Sequence, residues 1–126
     1  MNYKIVAVDF DNTLCEENYP FIGTPNYKAL RIMLQFKHNG GKIILWTCRS
    51  GQALKEAVDF CSDNFLELDA INENEPGHLK EWLTNHPESE IGPKPYADMY
   101  IDDKGNTGID WDAIDNIINK KWKEDM

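Results

Sequence analysis

The run Tyr3-Lys4-Ile5-Val6-Ala7-Val8, closed at once by Asp9-Phe10-Asp11-Asn12-Thr13, constrains this chain more than any other stretch. A nearly continuous β-branched run reads as a strand covered on both faces, the pattern of a parallel sheet between layers of helix. Two carboxylates then stand at the carboxyl end of a buried strand. In open α/β sheets that end binds ligands, at the point where strand order reverses. Acids gathered there repel one another, and a hard cation or a shared proton must offset the repulsion.

The remaining apolar periods alternate strand and helix with short connections, which predicts an α/β, doubly wound, mainly parallel sheet. A polar hook from Asn12 to Thr24 leads to Thr24-Pro25, read as an N-cap and a proline at the first helical position. Ala29, Leu30, Met33, Leu34 and Lys37 follow helical spacing until Asn39-Gly40-Gly41 stops the helix. A short buried strand, Lys42 to Trp46, ends in Thr47-Cys48-Arg49-Ser50-Gly51, and a second helix sets Leu54, Ala57, Val58 and Cys61 on one face. Phe65 to Ile71 reads as an edge strand, because Glu67 and Asp69 alternate with its apolar residues. Asn72 to Pro95 reads as a loop-rich crossover with one short helix, Gly77 to Leu83. Ala97 to Ile101 forms the fourth strand, ending in Asp102-Asp103-Lys104-Gly105. A closing helix, about Trp111 to Trp122, points Ile114, Ile117, Ile118 and Trp122 inward.

The 126 residues fit one domain, 1–126, that buries roughly two thirds of the surface its unfolded form exposes. A formal charge of −9 argues against a broad nucleic-acid surface or an anionic-membrane surface, since such binding rests on basic patches. Neither a secretory leader nor a membrane span is recognisable, and the expected setting is cytoplasmic. Cys15, Cys48 and Cys61 stand at unrelated spacings and read as reduced thiols rather than as a zinc site.

Three strand ends therefore finish in polar residues of different kinds: DFDNT, TCRS and IDDK. A doubly wound sheet brings such ends together. Asp9, Asp11 and Asp102 or Asp103 supply hard oxygen ligands suited to Mg²⁺. The Thr47 hydroxyl, the N–H groups opening the next helix and a lysine then receive phosphate oxygens; Arg49 reads either as a further phosphate-steering cation or as a surface residue capping the helix start. With repulsion offset in this way, one carboxylate can attack phosphorus while the other handles protons.

In that arrangement the chain resembles the haloacid-dehalogenase-like (HAD) superfamily of aspartate-nucleophile phosphohydrolases, over most of its length and in the right order. The pattern DxDx[TV] corresponds to Asp9-Phe10-Asp11-Asn12-Thr13. The apolar strand ending in Ser or Thr corresponds to Ile43 to Thr47, and the strand ending in paired acids to Tyr100-Ile101-Asp102-Asp103. The resemblance implies a Rossmann-like HAD core with Asp9 as the nucleophile that becomes an aspartyl-phosphate and Asp11 as general acid/base. It also implies Mg²⁺ held by Asp9, the Asp11 carbonyl and Asp102, and phosphate bound by Thr47. Asn12 stands where the family usually has Gly, and Asn tolerates the same left-handed backbone. The family lysine is assigned to Lys94, which resembles a basic residue preceding this strand in small bacterial members; Lys80 and Lys104 are the alternatives.

Neither gap that carries a cap in this superfamily is long enough here for a folded cap domain. An open site of this kind suits a phosphorylated small molecule or a macromolecular phosphate, or is covered by another subunit of a homo-oligomer. The expected activity is Mg²⁺-dependent hydrolysis of a phosphomonoester. The rivals are a non-enzymatic receiver-like phospho-switch, phosphorylated on Asp102 rather than Asp9, and a catalytically silent binding protein of the same fold. His38, His78 and His86 read as surface residues, Trp46 and Trp111 as core aromatics, and Cys48 as a packing residue without a base to activate it.

Overall fold

A computed structural model of the chain describes residues 3–77, 84, 95–102 and 108–120. Its elements are β1 (Ile5–Val8), α1 (Tyr27–His38), β2 (Lys42–Leu45), α2 (Gly51–Asp63), β3 (Ala70–Ile71), β4 (Met99–Ile101) and α3 (Trp111–Ile118). The four strands form one parallel sheet in the order β3-β2-β1-β4. Strand order thus reverses at β1, with β2 and β3 on one side and β4 on the other. The α/β, doubly wound architecture is as expected, and every pairing is parallel. The register sets Val8 beside Leu45 on one flank and beside Ile101 on the other, so the carboxyl ends of three strands are level.

All four residues of β1 are buried: Val6 and Val8 lie in the core shared with the helices, and Ile5 and Ala7 join a second cluster on the other face of the sheet. Val6, Val8, Ile43, Leu45 and Ile101 pack against Ile32, Met33 and Phe36 of α1, Phe60 and Cys61 of α2, and Trp111 and Ile118 of α3. On the opposite face Ile5, Ala7, Ile44, Ala70 and Ala97 form a smaller cluster beside Trp46. Each methylene added to such a core contributes about 0.8 kcal/mol, and Ile32 and Phe36, which the helical spacing read from the sequence omits, are buried in it with Ala29, Leu30 and Met33.

Three local readings are corrected. Helix α1 is capped by Asn26, whose side-chain oxygen accepts the Ala29 N–H at 3.1 Å, and not by Thr24. Thr24 stays in the preceding loop, where its carbonyl accepts the Glu16 N–H at 2.8 Å as the loop closes on itself. The third strand begins only at Ala70. Phe65 instead ends α2 in a left-handed conformation, φ 64°, with its N–H on the Ser62 carbonyl and the Leu66 N–H on the Cys61 carbonyl. That is a Schellman stop, and the same pattern recurs at the end of α1 with Gly40, φ 94°. In α3, Ile117 is 44% exposed rather than inward. Asp115 and Asn119 take the inner face, where the Asn119 amide donates to Asp115 at 2.8 Å and to the Ile32 carbonyl of α1 at 3.3 Å. Lys80, Lys94, Asp103, Lys104, His78, His86, Trp122 and most of the expected helix at Gly77 to Leu83 lie outside the described residues. No described helix is long and apolar enough to cross a membrane.

Candidate functional site

The site grows from the end of β1. The Asp9 N–H continues the ladder onto the Ile101 carbonyl at 2.9 Å, and the Trp46 N–H reaches the Val8 carbonyl at 2.9 Å, so neighbouring strands hold the chain on both flanks until the turn begins. Asp9 then accepts the Phe10 N–H on its own carboxylate at 2.8 Å. Phe10 drops its ring into the core, edge-on to Phe60 with centroids 5.4 Å apart. Asn12 is left-handed at φ 57°, and the Thr13 and Leu14 N–H groups return to the Phe10 carbonyl. The sequence pattern of acid, buried aromatic, acid, turn therefore has a mechanical reading: Phe10 anchors the loop and the two acids flank it.

Asp102 occupies the corresponding place on β4. Asp9 and Asp102 each stand one residue beyond the paired Val8 and Ile101, side by side on adjacent strand ends. On the other flank Thr47 follows β2. Its hydroxyl oxygen accepts the Arg49 N–H at 3.1 Å, and its own N–H donates to the Asn72 side chain at 2.8 Å. Asn72 was not foreseen as a site residue. It follows β3 directly, is left-handed at φ 54° and donates its N–H to the Leu45 carbonyl. Its signal in the sequence was an Asn placed directly after an edge strand, a residue suited to a left-handed turn with a side-chain acceptor.

Arg49 is placed differently from both the phosphate-steering and the surface role expected of it. It is 2% exposed. Nε donates to Asp11 Oδ2 at 2.8 Å and Nη2 to Asp11 Oδ1 at 2.6 Å, a bidentate clasp. Nη2 also donates to the Phe21 carbonyl at 2.8 Å, and Nη1 to the carbonyls of Pro20 at 3.0 Å and Ala53 at 3.2 Å. A guanidinium has five N–H donors, and all are engaged. The guanidinium packs over two aromatic rings, its central carbon 5.0 Å from the Phe10 centroid and 5.2 Å from that of Tyr19. Hydrogen bonding to Asp11 pushes the Arg49 pKa up, so the guanidinium stays charged. Arg49 accordingly joins the β1 end, the loop after it and the start of α2.

That clasp turns the Asp11 carboxylate towards Arg49, leaving its backbone carbonyl as the group it could offer a cation. The donor set at the strand ends is then Asp9, the Asp11 carbonyl and Asp102, all hard oxygens, which is the chemistry a small dication selects. Among the described residues no cluster of three or more His, Cys, Asp or Glu side chains converges as a metal site. Two carboxylates plus a carbonyl would not make such a cluster.

Residues 16–24 form a compact loop between β1 and α1. The Glu16 N–H meets the Thr24 carbonyl, the Phe21 N–H meets the Asn18 carbonyl at 2.8 Å, and Cys15 bridges Pro25. A Cβ on Gly23 would sit 1.9 Å from the Glu16 carbonyl oxygen, so the close approach requires glycine. Burial raises the thiol pKa of Cys15, whereas Cys48 is exposed beside Thr47. Lys94 lies outside the described residues. The chain after it, Pro95 to Ala97, turns back instead of continuing β4: the Tyr100 hydroxyl donates to the Pro95 carbonyl, and the Tyr96 N–H donates to Asn74 at 2.8 Å, two residues beyond Asn72.

The fold recurs in a conserved protein of solved structure from Bacteroides thetaiotaomicron. That protein is 33% identical to this chain, covers 95% of it over 93% of its own length, and superposes with a TM-score of 0.78. The chain belongs to the same family as that protein. Neither a protein-family model nor a curated protein matches the sequence.

Proposed function

We propose that the chain is a Mg²⁺-dependent phosphomonoester hydrolase that works through an aspartyl-phosphate on Asp9. The observation that supports this reading is the level alignment of three strand ends where strand order reverses: Asp9 and Asp102 each follow a paired residue directly, and Thr47 lies two residues beyond Leu45. Asp9, the Asp11 carbonyl and Asp102 would hold Mg²⁺, which when bound offsets the repulsion between carboxylate and phosphate. The Thr47 oxygen is already an acceptor for the Arg49 N–H, so its own proton is the one it can donate to a phosphate oxygen. The Ser50 side chain makes no capping bond to α2, so the first-turn N–H groups of that helix add a second set of donors on the same side.

In the first step a carboxylate oxygen of Asp9 bonds to phosphorus as the bond from phosphorus to the leaving oxygen breaks, and that oxygen takes a proton. In the second, water attacks the same phosphorus, releases inorganic phosphate and restores the Asp9 carboxylate. Asp11 is the proton carrier of this scheme. Both of its oxygens accept N–H groups of Arg49 and each keeps a second lone pair for a proton; protonation removes the carboxylate charge and so weakens the clasp.

The test is hydrolysis of a generic aryl phosphate by the purified protein, with Mg²⁺ and with a chelator, beside Asp9→Asn. Activity is expected only with the metal and only in the wild type. Undiminished turnover by Asp9→Asn would sink the nucleophile assignment.

A further inference from the structure

Burial of Arg49 leaves one ring beside the site half-used. Tyr19 turns one face to the Arg49 guanidinium, whose other bonds grip Asp11, and is nonetheless 59% exposed; Phe21, two residues on, is 68% exposed. Two large aromatics open to solvent on one short loop are unusual unless they meet something. Their exposure does not come from slack in the backbone. Five hydrogen bonds tie the loop down: Glu16 N–H to Thr24, Phe21 N–H to Asn18, Tyr19 N–H to the Glu17 carboxylate at 3.0 Å, and Arg49 to the Pro20 and Phe21 carbonyls. A pinned ring loses little conformational entropy on binding and is therefore a preorganised surface.

Building on the hydrolase reading, we infer that Tyr19, backed by Arg49 and flanked by Phe21, is a stacking platform for the leaving group, and that the substrate class is a small phosphomonoester carrying a planar aromatic ring, such as a nucleoside monophosphate. A cation held against one face of a phenol draws its π density and favours a neutral planar ring on the other. The guanidinium that carries Tyr19 is the one that holds Asp11, so Tyr19 is tied through Arg49 to the loop that follows Asp9. The net charge of −9 disfavours an extended polyanion such as nucleic acid, which favours a small ligand. Two other strongly exposed aromatics belong to helix ends instead: Tyr27 opens α1, and Phe65 forms the left-handed stop of α2.

Adenosine monophosphate and ribose 5-phosphate differ only in the base, and their comparison isolates the platform. For the wild-type protein with Mg²⁺, kcat/KM is expected to favour the nucleotide by about tenfold, the scale of one base stacked on an aromatic side chain. Tyr19→Leu should bring that ratio close to one, and Tyr19→Phe should keep it. Calorimetric binding of the same two ligands to Asp9→Asn protein gives a readout free of turnover, with the same tenfold preference expected and the same dependence on Tyr19. Equal treatment of both ligands by an active wild-type enzyme overturns the platform and leaves the hydrolase reading standing. Ring-selective, Tyr19-dependent binding without turnover of any phosphate supports the platform and overturns the hydrolase reading. Neither selective binding nor turnover overturns both, and a ratio untouched by Tyr19→Leu in a protein of unchanged melting temperature assigns the rings to another role and overturns the inference.

Discussion

Replacing Arg49 by Met tests whether one buried cation organises the site. The substitution keeps an apolar stem beside Phe10 and Tyr19 and removes five donors at once. Removing one partner of a fully buried ion pair costs about 3–5 kcal/mol, largely because the survivor stays desolvated. Here the Asp11 side chain retains 20% exposure, and the Pro20 and Phe21 carbonyls belong to exposed residues, so the survivors regain part of their hydration. The expected destabilisation is therefore about 2–3 kcal/mol, which for a domain of this size lowers the melting temperature by roughly 10 °C. Arg49→Lys keeps the charge but places three donors at one point, too few to span both Asp11 oxygens and two loop carbonyls, and should lose about half as much. Urea unfolding followed by circular dichroism gives these differences. A cycle with Asp11→Asn should return a coupling of about 1–2 kcal/mol for the pair. Destabilisation by Arg49→Met of less than about 0.5 kcal/mol, the range of an ordinary surface substitution, would refute the reasoning.

Other perturbations follow from single contacts. Phe65→Gly should stabilise the protein by about 1 kcal/mol in the same urea assay, because it relieves a left-handed non-glycine residue whose ring, 85% exposed, contributes little burial. Asp69→Ala should cost about 2 kcal/mol, since that carboxylate holds Lys37 Nζ at 2.6 Å and the Ile43 N–H at 2.7 Å at the edge of the sheet. Burial pushes the Cys61 thiol from 9.0 up to about 12. With the folded value above the unfolded one, its contribution is intact below pH 9 and is lost as the pH rises towards 12; Cys61→Ala should therefore show a shallower alkaline decline of stability between those limits.

The parallel sheet and the meeting of its strand ends were legible because buried parallel strands carry a near-continuous apolar run, and Tyr3 to Val8 and Lys42 to Leu45 are such runs. What escaped was set by contacts between segments distant in sequence. Thr24-Pro25 is a good local helix start, yet Thr24 stays in the loop that Glu16 closes, and the cap falls to Asn26. Ile117 has inward periodicity, yet the Asp115–Asn119 pair bonds to the Ile32 carbonyl and takes that face. Arg49 beside Thr47 reads as a phosphate ligand until Asp11, 38 residues earlier, is seen to hold it. Asn72 carries no signal of its link to Thr47, because a side-chain acceptor for a backbone N–H leaves no periodic trace.

The most direct test of the account is to trap the covalent intermediate. Borohydride added during turnover of a phosphomonoester with Mg²⁺ reduces an aspartyl-phosphate to homoserine, so the modified residue loses one oxygen and gains two hydrogens, and peptide mass spectrometry locates it. The account predicts reduction at Asp9 alone, abolished by Asp9→Asn and by chelation of the metal. Reduction at Asp102, or steady turnover with Asp9 unmodified, would contradict it.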